Sequence, residues 1–351
     1  DLLIVNELNT EAGANDILVQ CLNQNGISYY SRALYDDGFG TDNMLFFDSR
    51  KIGLEKQASI QTNLRPISYY KVFLKDWNLA NTQDTTFVNL FALHLKASTG
   101  YEQMRYEEAK DLRDYIDNNL SGEHILVGGD FNVYKSTEAC LKVLIDSGTH
   151  QLYDPIQVSG NFQDNASYST IHTQSTRTTE IDDGAAGGLD DRFDLFLCSE
   201  DIYNGTGDLT SIPMEYKAIG NDGQHLNLNI TDPPTISIYP SNLINALYNF
   251  SDHLPVVYTL LTNKDLPDGI IENQADVKWL WDKENKTLKL SDVSKYIADD
   301  ISCYNALGQR LEIDISKINK NIELSFSREH KGLHIISFIS SEKAFTIKLI
   351  L

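Results

Sequence analysis

Short apolar runs that end on acidic, amide or imidazole residues recur along the first 262 positions. Ile125-Leu126-Val127 runs into Gly128-Gly129, as a buried strand entering a tight turn does, and sets Asp130 and Asn132 at the strand's C-terminal end. Two residues apart, they point the same way. Asp1–Val5 is strand-like and delivers Glu7; Phe87–Leu93 delivers His94, with Lys96 beyond it. Asp194 opens the run Leu195–Cys198, and Asp252-His253 stand just before the run Leu254–Leu261. Strand ends meeting around one rim are where active sites of layered α/β folds form.

Two stretches carry helical periodicity instead. Asn15–Gln24 reads as an amphipathic helix closed by Asn25-Gly26. In Glu102–Leu120, Met104, Ala109, Leu112, Tyr115, Ile116 and Leu120 share a face, with Arg105, Lys110 and Arg113 on the polar side. Residues 27–75 alternate, with strands expected around Tyr29-Tyr30, Met44–Phe47 and Tyr69–Leu74. Residues 160–190 are polar and rich in Gly, Ser, Thr and Asp, the texture of a long surface loop where substrate-facing residues sit. Within it, Thr176-Arg177 is placed to meet a phosphate and His172 is an ordinary loop residue. Residues 200–250 read as a second extended insertion, with no role for His225.

The texture changes past Leu261. Residues 263–275 read as a linker. From 276 to 351 short alternating strands are expected at Val277–Trp281, Thr287–Leu290, Ile301–Tyr304, Ile335–Ile339 and Phe345–Leu349. Turns at Asn285, Asn305–Gln309 and Lys331-Gly332 punctuate them, a pattern that suggests a small β-sandwich.

With 351 residues, 41% of them apolar, the chain is long enough for two domains with separate cores. Its formal net charge of −21 provides no basic nucleic-acid footprint and argues against tight, sequence-specific DNA binding. It argues less against a hydrolase, because bound cations and a locally basic rim offset a distant acidic surface. Four cysteines, Cys21, Cys140, Cys198 and Cys303, show no paired spacing and read as buried free thiols. No apolar run reaches transmembrane length.

A carboxylate and an amide on one loop, with a carboxylate and an imidazole on another, are the inventory for water-activated cleavage of a phosphoester with a hard metal ion. Taken in order, Glu7, His94, Asp130/Asn132, Asp194 and Asp252/His253 resemble the endonuclease/exonuclease/phosphatase superfamily, over residues 1 to about 262. The resemblance implies an α+β fold, a four-layered sandwich of two packed mixed sheets flanked by helices. That family begins with a further strand carrying an Asn, whereas this chain opens on the strand of Glu7. The leading strand is therefore expected to be missing, leaving unpaired ladder groups and a cavity.

Site roles also follow from the resemblance. Glu7, with Asp252, would hold Mg²⁺ or Mn²⁺, Ca²⁺ being a third choice. His253 would be the general base, with Asp194 fixing its tautomer; Asp130 would orient the nucleophile, Asn132 would donate to a phosphate oxygen, and His94 would donate to the phosphate or protonate the leaving oxygen. Arg192, Arg105 and Arg177 are the expected substrate contacts, Arg192 serving equally well as a brace. The expected activity is a metal-dependent phosphodiesterase with DNA or RNA as substrate rather than stable partner. The alternatives are a phospholipid or sphingomyelin phosphodiesterase, a phosphomonoesterase, or a surface binding protein that kept the fold. Inositol-phosphate phosphatase is disfavoured, because Leu189-Asp190-Asp191-Arg192 stands where that branch has Trp-Cys-Asp-Arg.

Tyr304–Arg310, Gly332–Ile336 and the Lys-bearing last strand resemble the C-terminal sorting domain of type IX secretion in Bacteroidetes. That resemblance implies engagement with the secretion machinery, a secreted or outer-membrane cell-surface location, and a monomer.

Overall fold

The computed structural model describes residues 1–76, 84–264, 266, 278–282, 285–291, 301–305, 310–318, 321–327, 333–340 and 343–350. The chain divides into two compact units, Asp1–Pro267 and Asp268–Leu351.

The first unit is built on a six-stranded mixed sheet. Its strands are β4 (Ile52–Ile60), β5 (Ile67–Leu74), β6 (Phe87–His94), β7 (Ile125–Asp130), β8 (Leu152–Tyr153) and β9 (Asp194–Ser199), in the order β4-β5-β6-β7-β9-β8. Only β6 and β7 run parallel; the other neighbours are antiparallel. Alternation along β6 explains how one strand serves two cores. Phe91 and Leu93 join Val127, Leu195 and Leu197 against Ala109, Leu112 and Ile116 of α2 (Glu102–Asn119) and Leu141 and Leu144 of α3 (Ala139–Ile145). Leu90 and Ala92 face the other way, with Tyr70, Val72 and Leu126, onto Met44 and Phe46 of a second sheet. Each Val, Leu, Ile, Phe or Met side chain so buried contributes about 1.5–3 kcal/mol.

That second sheet has three antiparallel strands: β1 (Leu2–Leu8), β2 (Tyr30–Arg32) and β3 (Asp42–Asp48), in the order β1-β3-β2. Every residue of β3 is buried, since the large sheet covers one face. On the small sheet's other side, α1 (Glu11–Asp16) and the π-helical turn Ile17–Leu22 bring in Ile17, Leu18 and Leu22. The layers thus run helix, small sheet, large sheet, helices. Two expectations change here. The second sheet is antiparallel rather than mixed, and Cys21, placed among buried thiols, is exposed, whereas Cys140, Cys198 and Cys303 are buried. Among the described residues β1 is paired on one side only.

Residues 200–250 hold more structure than an insertion suggests. They contain α4 (Glu200–Asn204), β10 (Leu209–Ser211), β11 (Lys217–Ala218) and α5 (Ser241–Phe250). Two short strands follow, β12 (Val256–Val257) on β11 and β13 (Leu260–Thr262) on β10. Ile244 of α5 packs with Leu189, Ile230, Ile236 and Leu254 in a small core of its own. That core anchors the chain immediately after Asp252-His253.

The second unit contains two four-stranded antiparallel sheets. One is β14 (Lys278–Asp282), β15 (Thr287–Ser291), β19 (Asn321–Ser325) and β18 (Asp314–Ile318) in that order. The other is β17 (Arg310–Leu311), β16 (Ser302–Asn305), β20 (Leu333–Ser340) and β21 (Lys343–Ile350). Leu288, Leu290, Ile322 and Leu324 of the first meet Cys303 and Ile336 of the second, which makes a β-sandwich. Strands β17, β18 and β19 were not expected from the sequence. Most of the linker at 263–275, Val277 and the turn residues 306–309 and 331–332 lie outside the described residues.

Candidate active site

Sheet register delivers three of the site's residues in one row. His94 at the end of β6 stands opposite Asp130 at the end of β7, and Asp130 stands opposite Asp194 at the start of β9. Gly129 makes the close approach possible. Its φ is +138°, and a Cβ there would lie 2.0 Å from the Leu93 carbonyl oxygen, so any side chain would push β7 off β6.

The loop carrying Asp252 and His253 is tied by backbone bonds to residues 173–176 of the polar loop. Thr176 N donates to Asp252 O at 2.9 Å and Leu254 N to Thr173 O at 2.8 Å. His253 Nδ1 then meets Asp194 Oδ2 at 2.7 Å, which holds the ring and its tautomer. The Gln174 side-chain amide closes on His253 Nε2 at 2.6 Å. Burial opposes the imidazolium charge, but Asp194, then Asp130 and Asp252, outweigh it and raise the pKa of His253 well above the usual range.

His94 meets different neighbours. It is 4% exposed, with Nε2 3.4 Å from Asp130 Oδ2 and 3.7 Å from Glu7 Oε1, while its Nδ1 is buried without a partner. Burial first, then Arg65, His253 and Lys96, push its pKa down to about 3. Asp130 is buried, and that burial raises its pKa against the opposing charge of His253.

Glu7 comes from a bulge in β1, where the register with β3 shifts between Val5 and Leu8 and Glu7 itself takes φ +60°. A bulge re-aims a side chain beside a site, and here it turns the carboxylate toward the row. Asn6 Nδ2 donates to Leu93 O at 3.0 Å and pins this corner to the end of β6. Glu7, Asp130, Asp194 and His253 line the polar end of a cavity of about 370 Å³ that runs along β1. Leu2, Ile4, Phe196, Leu247, Phe250 and Val256 form its apolar walls.

Glu7 and Asp252 are the carboxylates expected to hold a hard divalent ion; Asp252 Oδ2 already accepts from Ala185 N at 2.6 Å. Withdrawal from water raises the pKa of Glu7, and the Asp252 and Asp194 carboxylates push the same way. A cation would relieve that repulsion. Among the described residues no three His, Cys, Asp or Glu groups converge as a closed cage. One or two carboxylates, with water and substrate oxygens, are the usual Mg²⁺ arrangement, whereas Zn²⁺ takes a fuller protein ligand set.

Three expected substrate contacts are engaged elsewhere. Both hydrogens of Asn132 Nδ2 are committed, to Asp130 Oδ2 at 2.7 Å and to Leu95 O at 3.1 Å, so Asn132 holds Asp130 rather than donating to a phosphate. Arg105 is fully buried, with Nη2 2.8 Å from Glu138 Oε2 and Nη1 donating to the carbonyls of Lys96 and Ser98. It braces the loop after His94. Arg192, 1% exposed, grips both Asp154 oxygens at 2.8 and 3.1 Å, which settles it as a brace. Arg113, expected on a solvated face, is also buried and paired with Asp117. Arg177 is 4% exposed beside the Asp252 loop, with Nε lacking a partner.

His172 is buried, its Nε2 2.8 Å from Phe162 O, and His225 lies between Asp222 and the Asp232 carbonyl. Gln174 was not foreseen as a site residue. Its only sequence signal is its place in the polar 160–190 loop, because nothing local marks which loop amide reaches an imidazole 79 positions away.

No family model matches the chain, and no curated protein matches it. Among solved structures it is similar to the human Nocturnin catalytic domain with bound sulfate, at 17% identity and TM-score 0.46 over 75% of this chain and 81% of that one. It is similar to D. rerio TDP2 complexed with a single-strand DNA product, at 16% identity and TM-score 0.45 over 75% and 86%. A mannosyl-6-phosphatase of Bacteroides thetaiotaomicron is similar at 13% identity and TM-score 0.43 over 74% and 85%.

Proposed function

We propose that the chain is a metal-dependent phosphoester hydrolase and that its substrate is a nucleic-acid phosphodiester. One observation carries the reading: His94, Asp130 and Asp194 share a row of strand ends, with His253 held on Asp194 and Glu7 opposite. A purely structural role would not gather one imidazole and three carboxylates at the end of a cavity, with a second imidazole 3.4 Å from one of those carboxylates.

The chain's own residues divide the work. Asp194 fixes the His253 ring and favours its charged form; positive charge held by Glu7 and Asp252 would favour the neutral form instead, whose Nε2, once the Gln174 amide turns away, would take the proton of the attacking water as general base. Asp130, held by the side-chain and backbone N–H groups of Asn132 at 2.7 and 2.8 Å, orients that water. His94, neutral at ordinary pH, donates to the phosphate or the leaving oxygen. Glu7 and Asp252 would hold a divalent ion, which when bound would supply positive charge to the phosphate. The net charge of −21 suits a nucleic acid held by one or two phosphates and cut, rather than wrapped.

A second reading, a phospholipid or sphingomyelin phosphodiesterase, is favoured by the apolar cavity walls beside Glu7 and His253. The assay is turnover of plasmid DNA, RNA, sphingomyelin and a soluble phosphomonoester with Mg²⁺ or Mn²⁺, then after chelation. Cleavage of nucleic acid that chelator abolishes and Mg²⁺ restores is expected. Cleavage of lipid alone would transfer the protein to the second reading, and no turnover of any substrate would end the hydrolase reading.

We assign the second unit to export across the outer membrane, on its resemblance to type IX sorting domains. Deleting 263–351 is expected to leave catalysis nearly intact and abolish export. Lost activity with normal export would contradict this.

A further inference from the structure

Asn6 and Asn132 both stand at the row, and both are spent. Asn6 Nδ2 donates to Asn43 Oδ1 at 2.6 Å and to Leu93 O at 3.0 Å, while Asn132 Nδ2 donates to Asp130 Oδ2 and Leu95 O. Glu7, Asp130 and Asp194, as carboxylates, can only accept. A phosphoryl group reacting among them gathers negative charge on its oxygens and needs N–H donors aimed at it.

Gln174 is the amide with a hydrogen to spare. Among the described residues its side chain makes one hydrogen bond, the 2.6 Å contact with His253 Nε2. That contact suits either form of the ring. The amide presents an N–H to the neutral imidazole or, turned over, its oxygen to the charged one. At least one amide hydrogen stays unused in both cases, and the residue is only half-buried.

Its backbone is fixed. Asp190 N and Asp191 N donate to Gln174 O at 2.8 and 2.9 Å, and Gln174 N donates to Asp191 O at 3.1 Å. On either side of it, Leu254 N donates to Thr173 O and Thr176 N to Asp252 O, which sets Gln174 directly across from His253. The amide can therefore swing, but only about an anchor that faces the general base.

Distance decides what it meets when it swings. A general base works about 2.6–3.2 Å from the oxygen it deprotonates, and the Gln174 amide now holds that place. The attacking oxygen in turn stands about 3–3.5 Å from the atom it attacks. Once water takes the position on Nε2, the displaced amide lies beside that water, and so beside the oxygens of the phosphorus being attacked.

We propose that Gln174 is a further catalytic residue, whose amide leaves His253 as the attacking water arrives and donates an N–H to a non-bridging oxygen of the scissile phosphate. The proposal rests on the reading of the row as a phosphoester hydrolase. It supplies the donor that Asn132, held on Asp130, does not.

The test uses the full chain with Mg²⁺ and thymidylyl-(3′→5′)-thymidine, beside its two phosphorothioates, in which sulfur replaces one or the other non-bridging oxygen. Gln174→Ala is expected to lower kcat on the oxygen ester by about 10²-fold with KM little changed, the scale of one lost oxyanion donor. Sulfur accepts a hydrogen bond weakly, so the wild type loses this bond with one phosphorothioate. In Gln174→Ala the penalty for that diastereomer is expected to shrink about tenfold, while the penalty for the other stays as it was. Gln174→Glu keeps the length and a partner for His253 but has no N–H, and is expected to be as slow as Gln174→Ala. A side chain that merely held His253 would slow all three esters alike, and one that merely blocked it would speed them on removal. Unchanged or faster turnover in Gln174→Ala, two unchanged phosphorothioate penalties, or a wild-type rate in Gln174→Glu each overturns the proposal.

Should the wild type cleave none of the three, the nucleic-acid reading fails by itself. Calorimetry with inorganic phosphate and Mg²⁺ then decides Gln174 independently. Phosphate binding that both variants weaken about tenfold supports the proposal; equal binding in the variants, or no binding by the wild type, overturns it.

Discussion

The two imidazoles of the candidate site occupy neighbouring corners and meet opposite surroundings. His253 has a carboxylate oxygen 2.7 Å from Nδ1 and two more carboxylates acting on it, so its charged form is favoured despite burial. His94 is more deeply buried, its nearest carboxylate is 3.4 Å away, and the cations Arg65 and Lys96 stand on its side, so its neutral form wins. Residue type therefore does not set the role. One ring becomes the partner of an acid and the other a neutral donor, through a difference of less than 1 Å in contact distance and the sign of the charges around them.

That contrast can be broken in two ways. The larger effect belongs to His253→Ala, which is expected to lower turnover by at least about 10²-fold, the lower end for loss of a general base. Near-normal turnover would remove His253 from that role. The smaller belongs to His94→Asn. Loss of one neutral donor is expected to lower turnover by about 10²-fold, the lower end for a single donor. Because the folded-state pKa of His94 lies at about 3, below its ordinary value, the ring is neutral at every pH above roughly 4. The pH–rate profile from pH 5 to 8 should therefore keep its shape in His94→Asn. An acid limb near pH 6 that disappears in the variant would show His94 titrating there, and the contrast would fall.

The legible part of the molecule is the part governed by local pattern. β6, β7 and β9 were readable because a buried strand must be apolar along its length and stop where a polar residue is presented, as at His94, Asp130 and Asp194. Helix α2 was readable from its apolar spacing. Helix α5 was not, because its apolar residues serve a small separate core rather than the main one. The short strands β17–β19 of the second unit likewise escaped notice.

The site divides along the same line. Glu7, His94, Asp130, Asp194, Asp252 and His253 are visible as polar residues at the ends of apolar runs, since nothing local explains them there. Asn132, Arg105 and Arg192 look equally functional in the sequence. Only the fold shows that Asn132 is committed to Asp130 and that each arginine has a carboxylate waiting. Gln174 is the reverse case, an ordinary loop residue until a distant contact brings it to His253. The sequence by itself determined where strands lie and which chemistry their ends carry, because burial acts on each residue in turn. Tertiary structure alone decided which polar groups are already satisfied and which remain open to a substrate, because a hydrogen bond is settled by where its partner stands, however far away along the chain.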